Sequence, residues 1–185
     1  MRVASSFFAL TCCLSAVLPS PAQTSGQNES LAPYIPTPQI IVEKMLEAAG
    51  VKPGDTVYDL GSGDGRIIIT AAKKYGAKAV GVELSEELCR RTNERIKAMG
   101  LEDRVKIIHG NLLDVDLSPA DVVTLYLLTS SNERLKPNLE KYLKPGTRVV
   151  SNDFEIRGWK ARGVVKITSG NTTHSLYVYE IERRK

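Results

Sequence analysis

The sequence contains few cysteines and histidines, the residues that form disulfides and that most often bind transition metals. Of its three cysteines, Cys12 and Cys13 lie in an apolar segment near the N-terminus, and Cys89 stands alone in the remainder. One cysteine cannot form a disulfide within the domain, and no metal-ligand spacing is present, so we expect no metal. The two histidines, His109 and His174, belong to no motif with a partner serine, cysteine or aspartate, which argues against hydrolase chemistry.

A strong excess of one charge is also missing. The 25 basic residues face 21 acidic ones, and the formal net charge is +4, without a run of five or six lysines and arginines. This mild excess does not require a nucleic-acid partner, and we expect none. With 185 residues, 42% of them hydrophobic and 25% charged, the chain suits one globular domain, for which we expect a monomer.

Long apolar runs are confined to the N-terminus. Residues 7–18 are mostly apolar and are followed by small residues and prolines. The run is shorter than the roughly 20 residues of a membrane-spanning helix, so we interpret residues 1–22 as a signal-peptide-like segment. A hydrophobic anchor or a misassigned start codon is the alternative. Residues 23–36 have the composition of a linker and an extended arm, and residues 37–185 form the predicted domain.

Strand and helix patterns alternate beyond the arm. Thr37-Pro38 is predicted to begin a helix that Gly50 ends. Strands are predicted over 56–60, 79–83, 105–109, 121–127, 147–152, 164–168 and 174–181, with helices over 66–75, 86–99 and 132–143. The alternation predicts an α/β fold: a doubly wound, Rossmann-like, seven-stranded and mostly parallel sheet with helices on both faces. No helix separates the last two strands, which predicts an antiparallel C-terminal hairpin. Ligands of such sheets bind beyond the carboxyl ends of the strands.

A glycine-rich segment follows the first predicted strand. Asp59 precedes Gly61-Ser62-Gly63-Asp64-Gly65, and these glycines allow a tight turn and close approach to a ligand. Arg66 stands where the dinucleotide fingerprint has its third glycine. An acid before the loop suits the α-ammonium of S-adenosylmethionine (SAM) and would repel a pyrophosphate. We therefore predict that Asp59, Gly61, Ser62 and Gly63 bind SAM.

Two further positions follow the next strands in order. Glu83 ends the second strand, where a carboxylate can accept hydrogen bonds from both ribose hydroxyls. Asn111 and Leu112 follow the third strand, and we expect the amide to face the adenine edge and Leu112 to cover the ring. The alternatives are an exposed acid at a strand end and an asparagine that serves only the turn.

Segments outside the glycine loop resemble one family of methyltransferases. The matching segments are 34–38, 58–67, 80–83, 122–129, 135–137, 143–151 and 154–159. The chain from Tyr34 onward resembles the archaeal broad-specificity protein-lysine methyltransferases. More distantly, it resembles the mitochondrial enzymes that modify lysines of an ATP-synthase subunit and of the adenine nucleotide translocase. The resemblance implies the class I SAM-dependent methyltransferase fold, with protein lysines as acceptors. The N-terminal apolar segment is not part of the archaeal pattern.

The arm before the domain belongs to the resembling segments. It contains Tyr34 and Thr37. We predict that both residues contact SAM, with the arm folded over the cofactor as a lid.

The acceptor channel is expected beyond the fourth and fifth strands. The residues there are Tyr126, Thr129, Ser130 and Asn132 after the fourth strand, and Asn152, Asp153, Phe154 and Glu155 after the fifth. Our hypothesis is that Asp153 or Glu155 attracts the lysine ammonium while Tyr126 and Phe154 line its aliphatic stem, so that Tyr126, Asp153 and Glu155 are the candidate catalytic residues. The alternative places Phe154 in the core and Glu155 in solvent.

Other functions and locations stay open at this point. Leu127-Leu128-Thr129-Ser130 lacks the Asn/Asp-Pro-Pro-Tyr/Phe pattern of methyltransferases that act on DNA bases or glutamine, which argues against a planar amine as acceptor. A small-molecule methyltransferase, a non-catalytic SAM-binding protein and, more remotely, a nicotinamide-dependent oxidoreductase are the alternatives. The N-terminal segment suggests export, membrane anchoring or proximity to a membrane, whereas dependence on SAM favours the cytoplasm.

Overall fold

Four helices and seven strands make up residues 33–183, the part of the chain that this computed structural model describes. In chain order they are α1 (Gln39–Ala48), β1 (Thr56–Leu60), α2 (Arg66–Tyr75), β2 (Lys78–Glu83), α3 (Glu86–Ala98), β3 (Val105–His109), β4 (Val122–Leu125), α4 (Thr129–Tyr142), β5 (Arg148–Asn152), β6 (Gly163–Ser169) and β7 (Thr172–Glu180). The predicted signal-peptide-like segment, 1–22, lies outside the described residues. Within 33–183, none of the helices has the length and apolar character needed to cross a bilayer.

The strands form a single sheet in the order β3-β2-β1-β4-β5-β7-β6. Strands β1 to β5 run parallel, and β7 runs antiparallel to both β5 and β6. The predicted fold, including its antiparallel hairpin, is thereby confirmed. The strand order reverses between β1 and β4, which places a crevice beyond the carboxyl ends of these two strands.

Apolar side chains cover both faces of the sheet. On one face, Ile41 and Met45 of α1 and Ile68 of α2 are fully buried. On the other face, Leu135 and Leu139 of α4 are fully buried. All four residues of β4 are buried, as expected for a central parallel strand with helices on either side. The two apolar layers hold the carboxyl ends of the strands in a fixed arrangement around the crevice.

Several element boundaries differ from the predicted ones. The first helix begins at Gln39 with Pro38 as its N-cap, rather than with Thr37 in that role, and the backbone N–H groups of Ile41 and Val42 donate to the Pro38 carbonyl. The fourth helix begins at Thr129 rather than at residue 132. Because the Leu128 carbonyl already accepts from the N–H groups of residues 131 and 132, β4 ends early and the chain turns sooner into the helix.

Candidate active site

A cavity of about 380 Å³ lies at the carboxyl edge of the sheet. It is enclosed by the arm at 33–37, the glycine loop after β1, the end of β2, and the segments that follow β3 and β4. All nine residues predicted to bind the cofactor line it: Tyr34, Thr37, Asp59, Gly61, Ser62, Gly63, Glu83, Asn111 and Leu112. Residues far apart in the sequence therefore share one cavity.

The glycine loop is held against β2 and α3 by its backbone. The N–H groups of Gly61 and Ser62 both donate to the Val82 carbonyl, at 2.9 and 3.0 Å. Gly65 has a φ of 74° and immediately precedes α2, and a Cβ there would lie 2.4 Å from Cγ2 of Thr92 on α3. The glycine at 65 is thus required both by its left-handed backbone and by close packing of the loop on α3.

Asp59 is the buried acid of the cavity. It is only 3% exposed, and the Thr124 hydroxyl of β4 donates to its carboxylate at 2.7 Å. Burial raises the pKa of Asp59 to about 6, even though the hydrogen bond from Thr124 acts in the opposite direction. A cation bound next to this carboxylate would relieve the cost of keeping its charge away from water.

Glu83 is fixed by two backbone donors. The Gly63 N–H donates to Oε2 and the Ser85 N–H donates to Oε1, each at 2.8 Å. Each carboxylate oxygen can accept a second hydrogen bond. The side chain is thus oriented before any ligand arrives, and it keeps the capacity to accept from two neighbouring hydroxyls.

Asn111 serves the turn after β3. Its Oδ1 accepts from the Leu113 N–H at 3.0 Å, which is the turn role that the sequence left open as an alternative. The residue nevertheless lines the cavity, next to Leu112, which is 8% exposed and packs in the core. The turn bond orients the asparagine and leaves its Nδ2 group chemically able to donate.

The arm is tied to the glycine loop through Arg66. Its guanidinium donates to the Thr37 carbonyl at 2.5 Å and forms two hydrogen bonds with the Asp64 carboxylate, at 2.8 and 2.6 Å. The ring of Tyr34 lies directly on Gly63, where an added Cβ would lie 2.7 Å from Cε2 of the ring. The sequence did not predict that Arg66 joins the arm to the glycine loop. Its position as the first residue of α2, directly after the loop, could have indicated such a role.

On the expected acceptor side, the structure brings together the segments that follow β4 and β5 with His174 of β7. Tyr126 lines the cavity, whereas Asp153 and Glu155 do not. The Asp153 carboxylate lies 2.7 Å from Nδ1 of His174. Burial and, to a smaller extent, the negative charge of the neighbouring Asp153 raise the pKa of Tyr126. The tyrosine ring also faces Phe154, with a centroid distance of 6.3 Å.

His174 has an acidic partner that no motif in the sequence indicated. It pairs with Asp153, which lies 21 positions earlier in the chain. Antiparallel pairing of β5 with β7 aligns Asn152 with Leu176, which places Asp153 beside Ser175 and within reach of the adjacent His174. A contact that depends on strand pairing leaves no local motif, so it could not be seen in the sequence.

Glu155 and Asn132 do not have the environments expected of residues that line an acceptor channel. Glu155 is exposed, in line with the alternative that placed its side chain in solvent. Asn132 is fully buried on α4, where its amide donates to the carbonyls of Phe154 and Glu155 at 3.2 and 3.4 Å. Asn132 therefore holds the loop after β5 through its side-chain amide.

Within residues 33–183, no cluster of three or more histidine, cysteine, aspartate or glutamate residues could hold a metal.

Comparisons with known proteins identify the family. The family model described as the ANTKMT methyltransferase domain matches residues 59–163. A protein-lysine N-methyltransferase of Saccharolobus islandicus is 54% identical over 83% of this chain and 96% of its own length. A human lysine N-methyltransferase named for the c-type subunit of ATP synthase is 30% identical over 76% of this chain and 59% of its own.

Solved structures agree on the fold and on the cofactor. A crystal structure described as an RNA methyltransferase from Salinibacter ruber, in complex with S-adenosylhomocysteine, is 42% identical. It superposes with a TM-score of 0.77 over 82% of this chain and 96% of that one. The resemblance inferred from the sequence is confirmed by the family match and by these relatives. This chain belongs to the ANTKMT methyltransferase domain family and is a class I methyltransferase that uses SAM.

Proposed function

We propose that this protein transfers methyl groups from SAM to lysine side chains of other proteins. The observation that carries the proposal is the 54% identity, over 83% of this chain, to a protein named a protein-lysine N-methyltransferase. The more distant relatives, named as lysine methyltransferases of an ATP synthase subunit and of the adenine nucleotide translocase, support the same acceptor. Protein lysine is thus the acceptor shared by relatives of different identity.

The cavity suits SAM in its volume and in its polar groups. Ribose hydroxyls fit Glu83, whose carboxylate is oriented by two backbone N–H groups. The α-ammonium fits the buried acid Asp59, whose carboxyl gains a partner for its charge. The positive φ angles of Gly61 and Gly63, 82° and 56°, give the tight turn that brings the loop backbone to the cavity wall. We propose Asn111 and Leu112 for the adenine, and Tyr34 and Thr37 for the covering arm.

The chemistry at the acceptor end concerns one amine. When bound, SAM supplies a sulfonium methyl, which a neutral amine takes by in-line displacement, so that a C–N bond forms as the C–S bond breaks and S-adenosylhomocysteine leaves. A lysine amine has an ordinary pKa near 10.4 and must lose a proton before it can react. Partial burial beside Tyr126 and Phe154 disfavours the charged ammonium, so the proton departs more readily to water.

Tyr126 and Asp153 have different parts in this proposal. Because the pKa of Tyr126 is raised, its phenol stays protonated near neutral pH and holds the amine as a hydrogen-bonding group rather than as a base. The Asp153 carboxylate adjoins that hydroxyl and draws in the ammonium by charge. The exposed Glu155 acts, at most, on the approach of the basic segment. Catalysis then depends mainly on position and desolvation.

An RNA acceptor is the second candidate, because the Salinibacter ruber structure is described as that of an RNA methyltransferase. The amine of a nucleobase is planar, unlike that of lysine. The segment Leu127–Ser130 lacks the Asn/Asp-Pro-Pro-Tyr/Phe pattern that serves planar amines in other methyltransferases. For this reason lysine is the favoured acceptor, and methyl label confined to RNA would contradict it.

The test uses methyl-labelled SAM and a cell lysate. Purified protein is incubated with both, and label is measured in protein, in RNA and in the small-molecule fraction. We expect label in protein bands that resists ribonuclease, and methyl-lysine after acid hydrolysis of those bands. The Glu83→Gln variant serves as the inactive control. Label confined to RNA or to small molecules would refute the lysine proposal.

A further inference from the structure

His174 is a buried histidine that lies outside the cavity. It lies on β7, is 6% exposed, and does not line the cavity. Its Nδ1 is 2.7 Å from Oδ2 of Asp153. Because a carboxylate can only accept, His174 donates through Nδ1. One side chain from the antiparallel part of the sheet thus holds an acid that lies next to the acceptor end of the cavity.

Asp153 has a left-handed backbone. Its φ of 61° is the one positive value among the non-glycine residues of 33–183. This conformation is uncommon for residues other than glycine, although aspartate tolerates it better than most, and such backbones cluster at functional sites. The Asp153 N–H donates to the Ser175 carbonyl at 2.8 Å, and the Ser175 N–H donates to Oδ1 at 2.9 Å. With His174 on Oδ2, both carboxylate oxygens have defined positions.

The fixed carboxylate is continuous with the cavity through Tyr126. The tyrosine lines the cavity, and its ring faces that of Phe154, the residue next to Asp153, with 6.3 Å between the ring centroids. It is close enough to Asp153 for the negative charge of that carboxylate to raise the pKa of the phenol. A carboxylate offers about four acceptor positions, and Ser175 and His174 use one on each oxygen. One position on each oxygen is left, where an ammonium could be bound.

We propose that His174 is a positioning residue for the acceptor amine: it aims the Asp153 carboxylate so that this acid and Tyr126 together receive the lysine side chain. The inference rests on the proposed function, which it extends to a residue that touches neither substrate nor cofactor. A merely structural His174 would affect folding and leave the acceptor step unchanged once folding is allowed for.

The test compares two amides at position 174. In His174→Asn, the amide reaches the place of Nδ1 and can still donate to Asp153. In His174→Gln, the amide reaches the place of Nε2 instead, so a polar side chain is kept but the bond to Asp153 is lost. Thr173→Val is the matched control, because Thr173 is an exposed neighbour on β7 that bonds only to Thr168 across the hairpin in the contacts described.

Steady-state constants are measured with the most strongly labelled lysate protein, purified, as acceptor. We expect kcat/KM for this acceptor to fall about tenfold in His174→Gln and to stay within about threefold in His174→Asn. Thr173→Val should match the unaltered protein. The dissociation constant for SAM, measured by calorimetry, should be the same in all four proteins, because His174 lies away from the cofactor residues.

Three results would overturn the inference: equal kcat/KM in His174→Gln and the unaltered protein, equal losses in the Asn and Gln variants, or an equal loss of SAM affinity. Thermal unfolding of both variants shows that the comparison is made on folded protein. Failure of the proposed function is recognised separately, because the unaltered protein would then label no lysine at all.

Discussion

The two ends of the cavity are built in different ways. At the cofactor end, Glu83 and the glycine loop are held by backbone N–H groups from residues that lie within about 20 positions of one another. At the proposed acceptor end, Tyr126 follows β4, Asp153 follows β5 and His174 lies on β7, and the contacts run through side chains: His174 bonds to Asp153, and the Tyr126 ring faces Phe154. Backbone contacts tolerate many changes of side chain, whereas side-chain contacts do not. The cofactor end can therefore stay constant while the acceptor end is changed to suit different substrates.

The sharpest test of the cofactor end is Glu83→Gln. The substitution removes the charge that accepts from Gly63 and Ser85 and, in our proposal, from the ribose. Since bonds to a charged group contribute about 1.5–3 kcal/mol each, we expect SAM affinity to fall about a hundredfold in calorimetry. Glu86→Gln, an exposed acid at the start of α3, is the control. Unchanged SAM affinity with weakened acceptor binding would reverse the assignment of the two ends.

The backbone scaffold is tested by Gly65→Ala. The added Cβ would lie 2.4 Å from Cγ2 of Thr92 and would also strain the left-handed backbone. We expect the free energy of unfolding in urea to fall by about 2 kcal/mol. Thr92→Ser removes that methyl group, so the double variant should regain part of the loss. At Gly100, φ is 62° and an added Cβ would have no atom within 4 Å, so Gly100→Ala measures the cost of backbone strain alone. Equal losses at 65 and 100 would mean that packing on α3 contributes nothing.

Asp153→Asn addresses the acceptor end. The change keeps the size of the side chain but removes the charge that draws in an ammonium. We expect kcat/KM for the protein acceptor to fall about tenfold, with SAM affinity unchanged. Glu155→Gln, the exposed neighbour, should have a much smaller effect. If both variants methylate at the rate of the unaltered protein, neither acid attracts the lysine.

The smallest expected effect concerns pH and Asp59. Burial raises its pKa from the ordinary 3.8 to about 6, so the folded protein takes up a proton here as the pH falls through about 6. Protonation removes the charge that the α-ammonium of SAM requires, and affinity is therefore lost on acidification. Between about pH 7.5 and about pH 5.5 we expect the dissociation constant to rise about fourfold in calorimetry.

The matched variant for this pH effect is Asp59→Asn. It should bind SAM more weakly at every pH but lose the dependence attributed to this carboxyl. An unaltered pH profile in Asp59→Asn would assign the titration to another group and remove Asp59 from the cofactor end.

Much of the cofactor end could be predicted because its signals are local. Asp59, the glycine loop and Glu83 occur in a fixed order after strands whose patterns are plain in the sequence, and they do line one cavity. Their contacts with SAM stay predictions. Arg66 was overlooked because a first-turn arginine has many ordinary uses. Only the folded chain shows that its guanidinium joins Thr37 to Asp64.

The sequence by itself determined the order of strands and helices, the doubly wound sheet with its final hairpin, and the family. These follow from periodicity and from short motifs, which need only neighbouring residues. The tertiary structure decided which side chains meet at the acceptor end. It paired His174 with Asp153, left Glu155 in solvent and placed Asn132 beneath the loop after β5. Such contacts depend on how strands pair across the sheet, and pairing between distant segments is set by the packed core rather than by any local pattern.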